Sequence, residues 1–101
     1  MLVKLGVSVH RLKKPMRKAQ RIVENVYLEH GEEAIVTSTF EGNHRVDSLH
    51  YVDLAVDYRQ PQNPTLVLDT FLNRLREELG EDYDVVYNKQ ARIIHVEHDP
   101  K

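Results

Sequence analysis

The chain has no cysteine and no tryptophan, only four glycines and four prolines, and no long hydrophobic run. Without cysteine there are no disulfides and no thiolate metal sites. Any bound metal must therefore use imidazole and carboxylate ligands, the set typical of catalytic rather than structural zinc. No stretch approaches the ~18 apolar residues of a membrane span, so no membrane association is expected. The N-terminal segment carries one early lysine but no continuous apolar core, which does not fit a secretory signal. The expectation is a chain made and folded in the cytoplasm; if it acts elsewhere, something else must carry it there.

The net charge is −2, with acids and bases interspersed. That balance leaves no electrostatic footprint for nucleic acid or an anionic membrane. The first fifth is locally basic through Lys4, Arg11, Lys13, Lys14, Arg17, Lys18 and Arg21. This pattern reads as a solvated helix face or as a contact surface for an anionic partner.

At 101 residues the chain is long enough for one core and too short for two, so residues 1–101 are read as a single domain. Val3 to Val9 alternates apolar and small or polar residues, the pattern of a short strand or extended arm. Pro15 suits the opening of a helix. After it Met16, Ala19, Ile22, Val23, Val26 and Tyr27 recur at helical spacing, and Gly31 marks the stop. Ala34–Ser38 and Leu54–Tyr58 read as strands, separated by an aperiodic polar stretch over 40–53 that suits a functional loop. A turn at 60–64 leads to a second helix whose Leu68, Phe71, Leu72, Leu75 and Leu79 share one face, with Gly80 at its end. Tyr83–Tyr87 and Ile93–Glu97 then read as a hairpin joined through Asn88, Lys89 and Gln90. The order αββαββ, preceded by a possible strand, predicts an α+β domain with two helices packed on a mainly antiparallel sheet.

Catalytic zinc takes about three protein ligands and leaves one position for water. His50 in the loop before a strand, Asp57 near that strand's far end and His95 in the closing hairpin are residues of the right type. Their spacing alone leaves open whether they converge.

The run Ser48-Leu49-His50-Tyr51-Val52-Asp53-Leu54-Ala55-Val56-Asp57 resembles the signature of the zinc D-Ala-D-Ala carboxypeptidase-like peptidases, roughly S-x-H-x-x-G-x-A-x-D. Phage endolysin peptidases belong to that group, and the Hedgehog signalling domain shares its fold. Ile35-Val36-Thr37-Ser38 resembles the family's strand before the site, Gly42-Asn43-His44 its approach loop, and His95-Val96-Glu97-His98-Asp99-Pro100 its closing strand. The resemblance covers nearly the whole chain. It implies a Hedgehog/D-Ala-D-Ala-peptidase-like fold and a Zn2+ cofactor held by His50, Asp57 and His95. It further implies action on peptidoglycan peptide bonds, with a peptidoglycan peptide or a protein as partner. His44 matches a position that some relatives use as an active-site histidine, and its other reading is a solvated loop residue. Ser48, Arg45 and Arg59 are the candidate substrate-binding residues. His10, His30 and His98 read as surface residues, and His98 should face away from His95 because the two are three apart on a strand.

The pattern also breaks. Amide hydrolysis needs a proton acceptor and a donor to the leaving amine. Yet Ile93 stands two before His95, where relatives often have His, and the stretch expected to carry an acid offers only the amides Asn88 and Gln90. Glu97, on the same strand face as His95, is the candidate substitute base; Asp53 and Asp84 are others. Asp53 also occupies the usual glycine position. Two functions follow as expectations. One is a zinc-dependent peptidase, of endopeptidase or carboxypeptidase type, in a phage virion or released to the cell wall. The alternative is a catalytically degenerate zinc-binding or structural module, for example a virion component.

Overall fold

The computed structural model describes residues 2–3, 14–40 and 55–100. Its elements in chain order are β1 (Leu2–Val3), α1 (Lys14–Glu29), β2 (Ile35–Phe40), β3 (Ala55–Arg59), α2 (Leu68–Leu79), β4 (Tyr83–Asn88) and β5 (Ile93–His98). The strands form one sheet in the order β1-β2-β3-β5-β4. β1 lies parallel to β2, and every other neighbour pair is antiparallel. The architecture is α+β: two helices on a four-stranded antiparallel sheet, extended at one side by the two-residue β1.

Two periodicities meet in the core. On α1 the buried residues are Met16, Ala19, Val23, Val26 and Tyr27, and on α2 they are Phe71, Leu72, Leu75 and Leu79. These stripes recur every three or four residues, as one helix face requires. The sheet answers with Val36, Val56, Tyr58, Val85, Ile94 and Val96, each buried and alternating along its strand. The rings of Tyr27 and Phe71 meet edge-on at 4.9 Å and 88°, the arrangement that their quadrupoles favour. The Tyr27 hydroxyl donates to the Arg59 carbonyl at 2.6 Å, tying α1 to the end of β3. Burial pushes both tyrosine hydroxyls, Tyr27 and Tyr58, well above the usual phenol range. No helix among the described residues is long and apolar enough to cross a membrane.

Local chemistry ends the elements where the sequence places its glycines. After α1 the Gly31 N–H donates to the Leu28 carbonyl and the Glu32 N–H to the Tyr27 carbonyl, while Gly31 adopts φ +71°. This paired closure with a left-handed residue satisfies the last carbonyls of the helix. β5 inserts between β3 and β4, so the hairpin's second strand lies inside the sheet. The expected alternation over Val3–Val9 overlaps the observed β1 only at Val3, and residues 4–13 lie outside those described. The loop expected over 40–53 is corrected at its first residue, since Phe40 ends β2; the rest of it lies outside the described residues.

His30 departs from the expected surface role. It is half-buried, with Nδ1 2.8 Å from the Val26 carbonyl and its ring edge-on to Phe71 at 5.0 Å. His98 is also half-buried, 5.1 Å from the Tyr83 ring, on the sheet face opposite His95.

Candidate metal and acid–base site

With both helices on one face, the residues that alternate with the core strand positions occupy the other. In β3 and β5 these are Asp57 and Arg59, and Ile93, His95 and Glu97. The register sets Asp57 directly opposite His95, Ala55 opposite Glu97, and Arg59 opposite Ile93. Directly opposed side chains on one face lie about 5 Å apart at Cβ, close enough for a carboxylate to reach an imidazole.

Asp57 Oδ1 lies 2.7 Å from His95 Nδ1, and Glu97 Oε1 lies 3.2 Å from His95 Nε2. The ring is therefore held between two carboxylates, and when protonated it donates to both. Their side chains are 27% (His95), 18% (Asp57) and 19% (Glu97) exposed, so the cluster is largely shielded while still open to solvent. The hydrogen bond that His95 donates to Asp57 raises the His95 pKa; burial opposes this, and Glu97 adds to the rise. The two carboxylates favour the charged form of the imidazole.

A bulge in β2 supplies the next partner. The β2–β3 register shifts between Val36, opposite Tyr58, and Ser38, opposite Asp57. The extra residue, Thr37, lets Ser38 fall on the same face as Asp57. Ser38 Oγ donates to Asp57 Oδ2 at 3.1 Å, and Thr37 Oγ1 donates to the Asp57 carbonyl at 3.3 Å. Each Asp57 carboxylate oxygen is thus engaged, which fixes the plane of the group. On β4, Asp84 pairs in register with Glu97 and Val86 with His95.

Of the residues proposed from the sequence, Asp57, His95 and Glu97 come together on this face. Arg59 follows two residues after Asp57 on the same face and is exposed. His44, Arg45, Ser48, His50 and Asp53 lie outside the described residues. Asn88, considered as the isostere of a missing acid, has a turn role: its Oδ1 accepts from the Ala91 N–H at 3.0 Å. The sequence reading missed Ser38 as the partner of Asp57. Its only signal is a hydroxyl at the end of an apolar run, which by itself does not point to a site.

The described residues fit zinc in donor type. Two carboxylates and an imidazole stand within hydrogen-bonding distance on a rigid sheet face, and a serine orients one carboxylate, as outer-shell partners do. Among the described residues no group of three or more His, Asp or Glu side chains is arranged to hold a metal ion. Both His95 nitrogens face carboxylates, and because a metal binds only the deprotonated nitrogen of imidazole, a metal and a proton compete for this ring. No known protein family, curated protein or solved structure matches the chain.

Proposed function

We propose that the chain is a zinc-dependent peptidase domain with a Hedgehog/D-Ala-D-Ala-peptidase-like fold, acting on peptide bonds of peptidoglycan. The observation that carries this reading is the contact between Asp57 and His95 across β3 and β5, with Glu97 on the other nitrogen of the same ring. Asp57 and His95 are two of the three residues that the family resemblance implies as ligands, and His50 is the third. When bound, zinc supplies Lewis acidity toward a scissile carbonyl and makes water a stronger acid.

The chain's own groups have separate tasks. Ser38 and the Thr37 hydroxyl hold Asp57 in place. Glu97, beside His95, is the acceptor for a proton from the attacking water and returns it to the leaving amine. Arg59, two residues beyond Asp57, meets the substrate. His44 assists at the developing oxyanion, and Ser48 and Arg45 contribute to substrate binding.

The test is release of free amines from purified peptidoglycan by the zinc-loaded chain. Release that disappears in Glu97→Gln and in His50→Ala is the expected result. No release at any zinc concentration overturns the hydrolytic reading.

A second reading, a metal-binding module without hydrolysis, rests on Ile93. This half-buried residue takes the same-face position two before His95 and offers no proton. Under that reading Ile93→His creates or greatly increases cleavage. Parent activity equal to that of Ile93→His contradicts it.

A further inference from the structure

The two edges of the sheet differ. β1 closes one side with two residues, whereas β4 closes the other with six and, among the described residues, pairs with β5 alone. The β4–β5 register runs from Tyr83 to Asn88 without a bulge, and β4 holds neither proline nor lysine. Short length, bulges, proline and lysine are devices that keep an edge strand from pairing with another chain. None of these protects β4.

The hydrogen bonds show which backbone groups of β4 face outward. The Asp99 N–H donates to the Asp82 carbonyl at 2.7 Å, so residue 82 turns toward β5. Alternation along the strand then turns Asp84, Val86 and Asn88 inward and Tyr83, Val85 and Tyr87 outward. Two contacts agree with this phase. Arg76 Nη2 on α2 donates to the Val85 carbonyl at 3.0 Å, and the Tyr83 N–H donates to the Gly80 carbonyl at 3.4 Å. A carbonyl has two lone pairs, so Val85 keeps an acceptor site beside Arg76. Among the described residues nothing takes the Val85 N–H or the N–H and carbonyl of Tyr87.

We infer that β4 is a self-association edge: a second copy of the chain adds its own β4 antiparallel to this one, with the two-fold axis at Val86. Hydrogen-bonded pairs must join outward residues, as Val85 with the partner's Tyr87. Val86 then meets its own counterpart in a non-hydrogen-bonded pair, where opposed side chains come closest. Val86 is 55% exposed and is one of three large apolar side chains left exposed among the described residues. Its counterpart covers it.

Charge at the strand ends selects a second copy and sets its direction. Exposed Glu81 and Asp82 precede β4, and exposed Lys89 and Arg92 follow it in the turn to β5, Arg92 in the left-handed region at φ +56°. Antiparallel pairing sets the acidic end of one copy beside the basic end of the other, whereas parallel pairing sets like against like. Two six-residue strands form a small interface, under about 1,200 Å², so association is reversible. The pairing also places the two sites. His95 lies in register with Val86, so the two His95 rings stand in line on one face of a continuous sheet, three strand spacings or roughly 14 Å apart. Association through β4 requires neither the metal nor the hydrolysis proposed above.

The experiment is sedimentation equilibrium of the zinc-free chain over a range of concentrations. The expected result is a monomer–dimer equilibrium with no larger species. Val86→Lys sets two cations together at the axis and should weaken the dimer at least tenfold while the variant stays folded. Lys89→Glu should also weaken it, and adding Asp82→Lys to that variant should restore it, a rescue that damage to the fold cannot produce. An NMR sample mixing labelled and unlabelled copies should show contacts between Val86 methyl groups of different copies. A chain that stays monomeric at every concentration, a dimer of parent-like affinity in Val86→Lys, or growth beyond dimers overturns the proposal. Failure of the charge swap to restore association overturns the antiparallel register.

Discussion

The His95 ring meets the Asp57 carboxylate at 2.7 Å across the β3–β5 pair, from positions 38 residues apart in the chain. The contact makes the protonation of one histidine a probe of both the fold and the site. Because Asp57 raises the His95 pKa, the folded chain holds this proton more tightly than the unfolded one. Its contribution to stability is fully present below the unfolded value of about 6.5. It is lost as pH rises through the higher folded value. An NMR titration of the His95 ring should give a midpoint above 6.5 in the parent and a lower one in Asp57→Asn. Unfolding measured from pH 6 upward should show the corresponding loss of stability.

Two buried tyrosines should respond in opposite ways to removal of a hydroxyl. Tyr27→Phe loses the 2.6 Å bond to the Arg59 carbonyl and should cost about 1 kcal/mol. The buried Tyr58 hydroxyl has no hydrogen-bond partner among the described residues. Tyr58→Phe should therefore be neutral or stabilising by up to about 1 kcal/mol. Urea denaturation of the two variants beside the parent checks the contrast.

Arg92→Gly should leave stability unchanged or raise it by up to about 1 kcal/mol. Relief of the left-handed strain is set against the greater freedom of glycine in the unfolded chain. A marked loss of stability would mean that the side chain itself supports the turn.

Ser38→Ala removes the donor to Asp57 Oδ2 while leaving Asp57 and His95 in place. Partners of this kind typically contribute about 10–100-fold in metal affinity. Zinc affinity should fall by about tenfold, with a stability loss of about 1 kcal/mol. Competition against a chelating dye would measure the first effect and thermal denaturation the second.

The helices were legible in the sequence because their stripes are long and regular. Met16 to Tyr27 and Leu68 to Leu79 each cover three turns of one face, and Gly31 and Gly80 stand at the ends. The hairpin strands were legible through their β-branched alternation. What spacing does not reveal is strand order. The meeting of Asp57 with His95 depends on β5 lying between β3 and β4, and nothing local in either segment requires it. The bulge at Thr37 is equally hidden, because one extra residue in a run of Val, Thr and Ser leaves the local pattern intact while changing which side chain faces Asp57. Arg92 gives no signal of its handedness, since the turn Asn88–Arg92 has no glycine to announce it. The resemblance brought Asp57 and His95 forward, and the two-residue period of a strand brought Glu97 to the same face as His95.

Zinc binding by the purified chain, measured by isothermal titration calorimetry at neutral pH, tests the central claim most directly. The account predicts one zinc per chain, with affinity that falls as pH is lowered because zinc and a proton compete for the His95 ring. It predicts that Asp57→Asn and His95→Ala each weaken binding by at least tenfold while remaining folded. Absence of zinc binding by the folded parent, or parent-like affinity in both variants, would contradict it.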